Sequence, residues 1–187
     1  MTLAQTRTHT PAHTLIIAEA GVNVVHCPES NLKLASGICP LATLLDKGVN
    51  VCLGTDGAAS NNKLNGLAEM QAASLLAKLE SKDPTAMSAR ETIQMATLDG
   101  ARALGLDHVT GSLEPGKSAD FIALDFTHLG MEPNHQIESN LVYANSGAEV
   151  TWSWIAGKNV VKNRQLQTLD SDALHHKAAA WRGKLSL

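Results

Sequence analysis

The stretch that decides the fold covers residues 49–62 and reads VNVCLGTDGAASNN. A short run of β-branched and apolar residues ends in a single carboxylate, Asp56, flanked by glycines, which is typical of a buried strand that opens into a loop. Parallel α/β folds hold their chemistry at such strand ends. Ser60, Asn61 and Asn62 are predicted to cap the helix that follows. From this pattern alone, Asp56 is either a functional carboxylate or a residue that only caps a turn.

The same supersecondary unit occurs twice along the chain. Residues 20–24 read AGVNV and residues 47–51 read KGVNV. In each copy a helix closes at the glycine, an apolar strand follows, and a polar loop containing Ser-Asn comes next. A repeat of this kind favours a parallel sheet with short connections, either a (β/α) barrel or a doubly wound sheet.

The two repeated strands, predicted at 22–26 and 49–53, are therefore expected to be parallel neighbours. His26 would then lie at the same rim as Asp56, because parallel strands end at the same edge of a sheet. A single histidine in that position is interpreted as a hydrogen-bonding wall of a site more readily than as a metal ligand.

Composition excludes several classes of partner. The chain has 187 residues, of which 44% are hydrophobic, and a formal net charge of −3 with scattered lysines and arginines. This favours a globular domain that binds a small molecule and argues against nucleic acid or an anionic membrane as partners. No apolar run has the length of a membrane span, and the polar start has no signal-peptide core, so a soluble, cytoplasmic protein is expected. The three cysteines are interpreted as small buried residues.

The chain after Asp56 is predicted to form two helices. In the first, apolar residues share one face that should pack on a sheet: Leu64, Ala68, Ala72, Leu75 and Leu79. The second begins with a capping box, Ser88 with Glu91, and continues to Leu104. Arg90, Glu91 and Arg102 are interpreted as solvated or capping charges.

Beyond residue 111 the pattern changes to strands and turns. Residues 119–125 predict a strand, residues 150–162 predict a hairpin, and residues 171–185 predict a surface helix. The segment 105–111 is the candidate domain boundary. The aromatic residues of the hairpin, Trp152 and Trp154, fall on one face and are expected to pack together.

A carboxylate at a strand end can bind a hard or borderline metal ion and accept a proton from water. Histidine partners are scarce, because no His-x-His pair occurs among the eight histidines. Motifs for a nucleophilic serine, a P-loop and a dinucleotide site are also absent, which disfavours a doubly wound phosphate binder.

Five motifs resemble the C-terminal half of an amidohydrolase-superfamily enzyme. They are HCPESNLKLASG (26–37), LGTDGAASNN (53–62), ATLDGARALG (96–105), GSLEPGKSAD (111–120) and WIAGK (154–158). The resemblance is strongest to the branch that contains 5-methylthioadenosine/S-adenosylhomocysteine deaminases, triazine hydrolases and guanine deaminases.

The resemblance implies a metal-dependent hydrolase built on a (β/α)₈ (TIM) barrel, with a small β-sandwich domain. Residues 1–110 would be the last strands and helices of the barrel, 111–170 a part of the sandwich and 171–187 a C-terminal helix. In that family the residue matched by Asp56 ends the last barrel strand, binds the catalytic metal and moves a proton from the attacking water. His26, Ser30 and Asn31 would lie near the substrate, and the metal would be zinc or iron.

The sequence also lacks features of this family that are needed for a complete enzyme. The family's main ligands, a His-x-His pair on the first strand and a histidine on the fifth, have no counterpart here, and a barrel needs about 250 residues. The chain is therefore expected to be the C-terminal part of such an enzyme, completed by an N-terminal half. The alternative is a non-catalytic remnant or interaction module that keeps the shape without the metal.

The reaction implied by the resemblance is hydrolytic deamination of an adenine nucleoside, such as S-adenosylhomocysteine or 5-methylthioadenosine. Guanine deamination and triazine dechlorination remain alternative activities. By itself the chain is expected to hold no stoichiometric metal and to hydrolyse nothing. An open sheet with an unpaired edge and an apolar face favours association with the missing half or with further copies of the chain, a homo-oligomer.

Overall fold

A computed structural model of the chain describes residues 2–4, 11–144 and 147–185, and His9 of the polar start lies outside them. Its elements, in chain order, are β1 (Thr2–Ala4), α1 (Pro11–Glu19), β2 (Asn23–His26), α2 (Pro28–Lys33), α3 (Leu41–Asp46), β3 (Val51–Leu53), α4 (Gly66–Ser81), α5 (Ala89–Ala96), α6 (Leu98–Ala103), β4 (Phe121–Leu124), a 3₁₀ turn (Leu129–Met131), α7 (Ile137–Tyr143), β5 (Val150–Ile155), β6 (Lys158–Lys162), β7 (Gln165–Leu166) and α8 (Ser171–Leu185).

A three-stranded parallel sheet, in the order β1-β2-β3, lies at the centre of the first region. Val24 pairs with Val51 and His26 with Leu53, so the two repeated strands are parallel neighbours in register, as predicted. They are shorter than expected, because residues 22, 49 and 50 lie outside the ladder. The repeat does not predict the third strand, β1, because its three residues precede both copies of the repeated unit.

The core of this region forms where helices cover the sheet. Val24, Val51 and Leu44 are fully buried in one apolar cluster, together with Met95 of α5 and Met87 from the segment before that helix. Buried valines on a strand pair are what a parallel sheet covered by helices requires. This packing places the carboxyl ends of β2 and β3 side by side.

The Ser-Asn segment after β2 is helical, which corrects the predicted loop. Ser30 and Asn31 lie in the single short helix α2, which begins with Pro28. Proline fits the first helical turn because its fixed φ suits a helix and it has no N–H to leave unpaired there.

Helix α4 differs from the prediction in its start and in its buried face. Its cap is Asn65, whose side chain accepts hydrogen bonds from the backbone N–H groups of Leu67 and Ala68, so Ser60, Asn61 and Asn62 do not cap it. Leu75 and Leu79 of the predicted face are 51% and 69% exposed. The buried residues are instead Glu69, Met70, Ala73, Ser74 and Ala77. From this face, Ser74 donates a hydrogen bond to the carbonyl of Met87 at 2.7 Å, which connects α4 to the segment before α5.

The second predicted helix is two helices. Its capping box is confirmed, because Ser88 and Glu91 exchange side-chain and backbone hydrogen bonds at the start of α5. The helix breaks at Thr97, where the backbone adopts φ −126° and ψ −92°, before α6 begins. The charged residues act as expected: Arg102 contacts Asp99 at 2.6 Å and Arg90 contacts Glu138 at 3.5 Å.

The second region is a four-stranded antiparallel sheet in the order β4-β5-β6-β7. The hairpin of β5 and β6 is confirmed, and the parallel rings of Trp152 and Trp154 stack with centroids 5.6 Å apart. Helix α8 is exposed along its whole length, as predicted.

Helix α7 connects the two regions by packing on α4 and α5. The hydroxyl groups of Tyr143 and Ser74 lie 2.7 Å apart, and Gln71 donates a hydrogen bond to the carbonyl of Tyr143. The domain limits at residues 110 and 170 stay a prediction. Among the described residues, no helix combines the length and apolar character that a bilayer crossing needs.

Candidate functional site

Asp56 lies just beyond β3 in a left-handed backbone conformation, with φ of +59°. Such a conformation is uncommon for residues other than glycine and needs support from its surroundings. Here Oδ1 accepts a hydrogen bond from the backbone N–H of Gly57 at 2.8 Å, and Oδ2 accepts one from the Ser60 hydroxyl at 2.7 Å. These bonds orient an exposed carboxylate at the rim of the sheet.

A third hydrogen bond reaches Asp56 from the neighbouring strand end. The hydroxyl of Ser30, which is fully buried on α2, donates to Asp56 Oδ2 at 2.8 Å. The two residues are 26 positions apart in sequence. A carboxylate that only caps its own turn does not require such a partner, so the geometry favours the functional interpretation of Asp56.

His26 lies at the end of β2, opposite Leu53 of β3, and is 1% exposed. Burial lowers the pKa of its imidazole from 6.5 to about 4, so the ring is neutral at pH 7. Within the described part of the chain, Nδ1 has no hydrogen-bond partner although it is buried. A buried polar atom without a partner is costly, which makes this nitrogen a candidate contact for a group that the site receives.

Asn31 is also buried, at 3% exposure, next to Ser30. Its backbone N–H donates to the carbonyl of Cys27 at 3.0 Å, and its carbonyl accepts from the N–H of Ser36 at 2.8 Å. Asn31 therefore helps to hold the segment that carries Ser30. Substrate contact by His26, Ser30 and Asn31 stays a prediction.

Glu69, which sequence reasoning missed, lies beneath this rim on α4 and has no exposed surface. Its Oε2 accepts from the backbone N–H of Glu29 at 3.1 Å, and its Oε1 accepts from the side-chain amide of Asn61. Burial is the largest cause of the raised pKa of this carboxyl group. The sequence feature that could have revealed this buried carboxylate is a glutamate on the same helix face as residues 70, 73 and 77.

Asn61 is fixed from its other side. Its Oδ1 accepts from the backbone N–H groups of Lys63 at 3.1 Å and Leu64 at 3.3 Å. Lys63 in turn contacts the Glu29 carboxylate at 3.0 Å. The segments that follow β2 and β3 are thus tied together through α4.

The buried thiol nearest this site is not a nucleophile at neutral pH. Burial, with smaller contributions from the charges of Asp56 and Glu69, raises the pKa of Cys27 to about 11. Because the thiolate is the reactive form, Cys27 acts as a packing residue.

The fit of a metal ion can be tested on these residues. The carboxylate of Asp56 is a suitable ligand for zinc. Among the described residues, however, no group of three or more histidines, cysteines and carboxylates lies close enough together to hold a metal. The described residues thus fit one position of a metal site and do not complete it.

Comparison with protein-family profiles matches residues 2–160 to the amidohydrolase family. The chain belongs to the amidohydrolase family. A curated relative from Teredinibacter turnerae, 5-methylthioadenosine/S-adenosylhomocysteine deaminase, is 52% identical over 91% of this chain, and the match spans 38% of the relative.

Two solved structures that contain zinc show the same partial likeness. An adenosine deaminase from Xanthomonas campestris with bound zinc aligns over 99% of this chain and 42% of its own, with a TM-score of 0.95 and 45% identity. Atrazine chlorohydrolase from Arthrobacter aurescens, complexed with zinc, aligns over 96% of this chain and 40% of its own, with a TM-score of 0.87 and 27% identity. The predicted α/β fold class is confirmed, and the chain spans about two fifths of these longer proteins.

Proposed function

We propose that this chain supplies the Asp56 rim of a metal-dependent amidohydrolase that deaminates an adenine nucleoside such as S-adenosylhomocysteine or 5-methylthioadenosine. The observation that carries the proposal is the carboxylate of Asp56 at the end of one parallel strand, held at 2.8 Å by Ser30 from the next. Membership of the amidohydrolase family and the likeness to zinc-containing relatives support it.

The residues of the chain have separate roles in this proposal. Asp56 would hold the metal and accept a proton from water, while Ser30 keeps the carboxylate oriented. His26, buried and neutral, offers an uncharged nitrogen to the substrate. Asn31 supports the segment at the rim. A bound zinc or iron ion would supply the Lewis acidity that lets water attack an electron-poor ring carbon.

An adenine nucleoside is favoured among the possible substrates. Guanine deamination and triazine dechlorination share the same attack on a ring carbon. The relatives named for S-adenosylhomocysteine and adenosine are 52% and 45% identical to this chain, whereas the triazine enzyme is 27% identical.

The proposed partner is the remaining part of an amidohydrolase. A catalytic zinc site uses about three protein ligands, and the described residues hold no cluster of three such groups. Asp56 is the one that we assign to the metal, so the other ligands would come from the partner. The exposed leucines of α4, Leu75 and Leu79, form an apolar face that suits further protein. We expect the isolated chain to be inactive.

The test combines this chain with the N-terminal part of the Teredinibacter turnerae relative, either fused or expressed together. Ammonia release from S-adenosylhomocysteine, 5-methylthioadenosine and guanine, and chloride release from a chlorinated triazine, would be measured alongside zinc content. The chain alone and the N-terminal part alone are the controls. We expect about one zinc per complex, with turnover of the adenine nucleosides.

Other outcomes would change the proposal. Turnover of guanine or triazine without adenine nucleosides would overturn the substrate. A stable complex that turns over nothing would support the non-catalytic alternative. One equivalent of zinc with turnover by the chain alone would reveal a ligand set other than the one proposed.

A further inference from the structure

The buried carboxylate of Glu69 meets a donor on each side. One is the backbone N–H of Glu29, in the segment after β2, and the other is the side-chain NH₂ of Asn61, in the segment after β3. Glu69 itself belongs to neither segment, since it projects from α4.

The surrounding groups determine which atom donates and which accepts in each of these hydrogen bonds. A backbone N–H is always a donor. Asn61 must turn its NH₂ group toward Glu69, because its carbonyl oxygen already accepts from the N–H groups of Lys63 and Leu64. The pocket around Glu69 therefore requires two acceptor atoms, which a carboxylate supplies and a glutamine side chain does not.

Burying a carboxylate costs free energy, because the charge loses its hydration. An apolar side chain would pack at this position but would leave both donors without partners. The carboxylate of Glu69 instead connects the segments that follow β2 and β3. The first segment carries Ser30 and the second carries Asp56, and these two residues are hydrogen-bonded to each other.

We propose that Glu69 is a positioning residue that sets the orientation of Asp56 by holding the segments after β2 and β3 in a single arrangement. The kinetic consequence rests on the proposed deaminase function, whereas the structural consequence rests on the contacts alone. Glu69 acts through Asn61 and Glu29 and does not contact the reacting atoms.

The experiment compares Glu69→Gln with an exchanged pair, Asn61→Asp combined with Glu69→Gln. The single variant keeps the size of the side chain but makes a donor face a donor. In the pair, the carboxylate moves to position 61, where it accepts from Lys63, Leu64 and the new amide, and the glutamine carbonyl accepts from Glu29. Glu80→Gln, a partly exposed change on the same helix, is the matched control.

Amide hydrogen exchange in the 187-residue chain reports the connection directly. In Glu69→Gln the amide either leaves the N–H of Glu29 without an acceptor or faces Asn61 and forces its oxygen away from the N–H groups of Lys63 and Leu64. We therefore expect the N–H of Glu29, or those of Lys63 and Leu64, to exchange about tenfold faster. The exchanged pair should return all three to within about threefold of the wild type. Unchanged exchange in Glu69→Gln would overturn the proposal without reference to any activity.

Kinetics in the completed enzyme report the effect on Asp56. We expect Glu69→Gln to lower kcat about tenfold, the lower end of the loss caused by removing a direct partner of a metal ligand, because Glu69 acts on Asp56 only through neighbouring residues. KM should stay within about threefold, the exchanged pair should recover most of kcat, and Glu80→Gln should match the wild type. A kcat unaffected by Glu69→Gln, or a pair as slow as the single variant, would refute the positioning role.

The outcomes separate the two proposals. If the completed wild-type enzyme shows no deamination, the proposed function fails and the exchange measurement alone decides the role of Glu69. If Glu69→Gln does not fold, the exchanged pair must fold and turn over, and a pair that also fails overturns the inference.

Discussion

In each of the two sheets an aspartate follows the end of a strand, but the hydrogen-bond donors to the two carboxylates differ. Asp56 follows β3 of the parallel sheet and accepts a hydrogen bond from Ser30, which belongs to the neighbouring strand end. Asp125 follows β4 of the antiparallel sheet, and Thr127, two residues on, donates to it from its N–H at 3.0 Å and its hydroxyl at 2.7 Å.

The difference follows from strand direction. In the parallel sheet the segments after β2 and β3 emerge at the same edge, so their polar groups can converge. In an antiparallel sheet successive strands end at opposite edges, and Asp125 accepts both of these hydrogen bonds from within its own turn. Burial differs in the same sense: Val24 and Val51 are fully buried, whereas every side chain of β4 to β7 keeps some exposure.

The largest expected effect is on catalysis. In the completed enzyme, Asp56→Asn should lower kcat about 10²–10⁴-fold, because the amide neither accepts the proton nor balances the metal charge. Asp125→Asn makes the same change at the antiparallel strand and should leave kcat within about twofold. Steady-state kinetics with zinc analysis would measure both. Near-normal turnover by Asp56→Asn would show that the two carboxylates are equivalent turn caps.

Stability offers a second way to separate the sheets. Leu44→Ala removes a fully buried side chain beside the parallel sheet and should lower the free energy of unfolding by about 2–5 kcal/mol. Ile122→Ala, on a strand of the antiparallel sheet where the side chain is 44% exposed, should cost no more than about 1 kcal/mol. Urea unfolding of the two variants compares them. Equal losses would mean that both sheets contribute a similar core.

The pH dependence of stability should distinguish the buried histidine from the exposed ones. The pKa of His26 falls from 6.5 to about 4 on folding, so between these values the unfolded chain binds more protons than the folded one. The free energy of unfolding should therefore drop as the pH falls from 6.5 toward 4, by up to about 3 kcal/mol.

Substitutions separate the contribution of His26 to this pH dependence from the contributions of other titrating groups, such as Glu69. His26→Gln should flatten the pH dependence in that range, whereas His175→Gln, on exposed α8, should leave it as in the wild type. Urea midpoints measured at pH 4.5, 5.5 and 6.5 would test it. A wild-type slope retained by His26→Gln would assign the effect to another group.

Local patterns were sufficient for much of the fold. The repeated glycine-strand units predicted that the strands carrying Val24 and Val51 are parallel neighbours, and the Ser88–Glu91 spacing predicted a capping box. Both depend on residues close together in sequence. The same logic failed for α4, since an apolar stripe at helical spacing does not say which face the neighbouring elements will cover, and they cover Met70 and Ala73 rather than Leu75 and Leu79.

The sequence by itself therefore determined that a carboxylate, Asp56, stands at the end of a buried parallel strand beside His26. Only the tertiary structure decided that Ser30 donates to this carboxylate and that Glu69 joins the two strand ends from below. The physical reason is the separation in sequence between the interacting residues. Strand period, turns and caps are set by neighbours along the chain, whereas the bonds from Ser30 to Asp56 and from Glu29 to Glu69 join residues 26 and 40 positions apart and exist only once the helices have packed on the sheet.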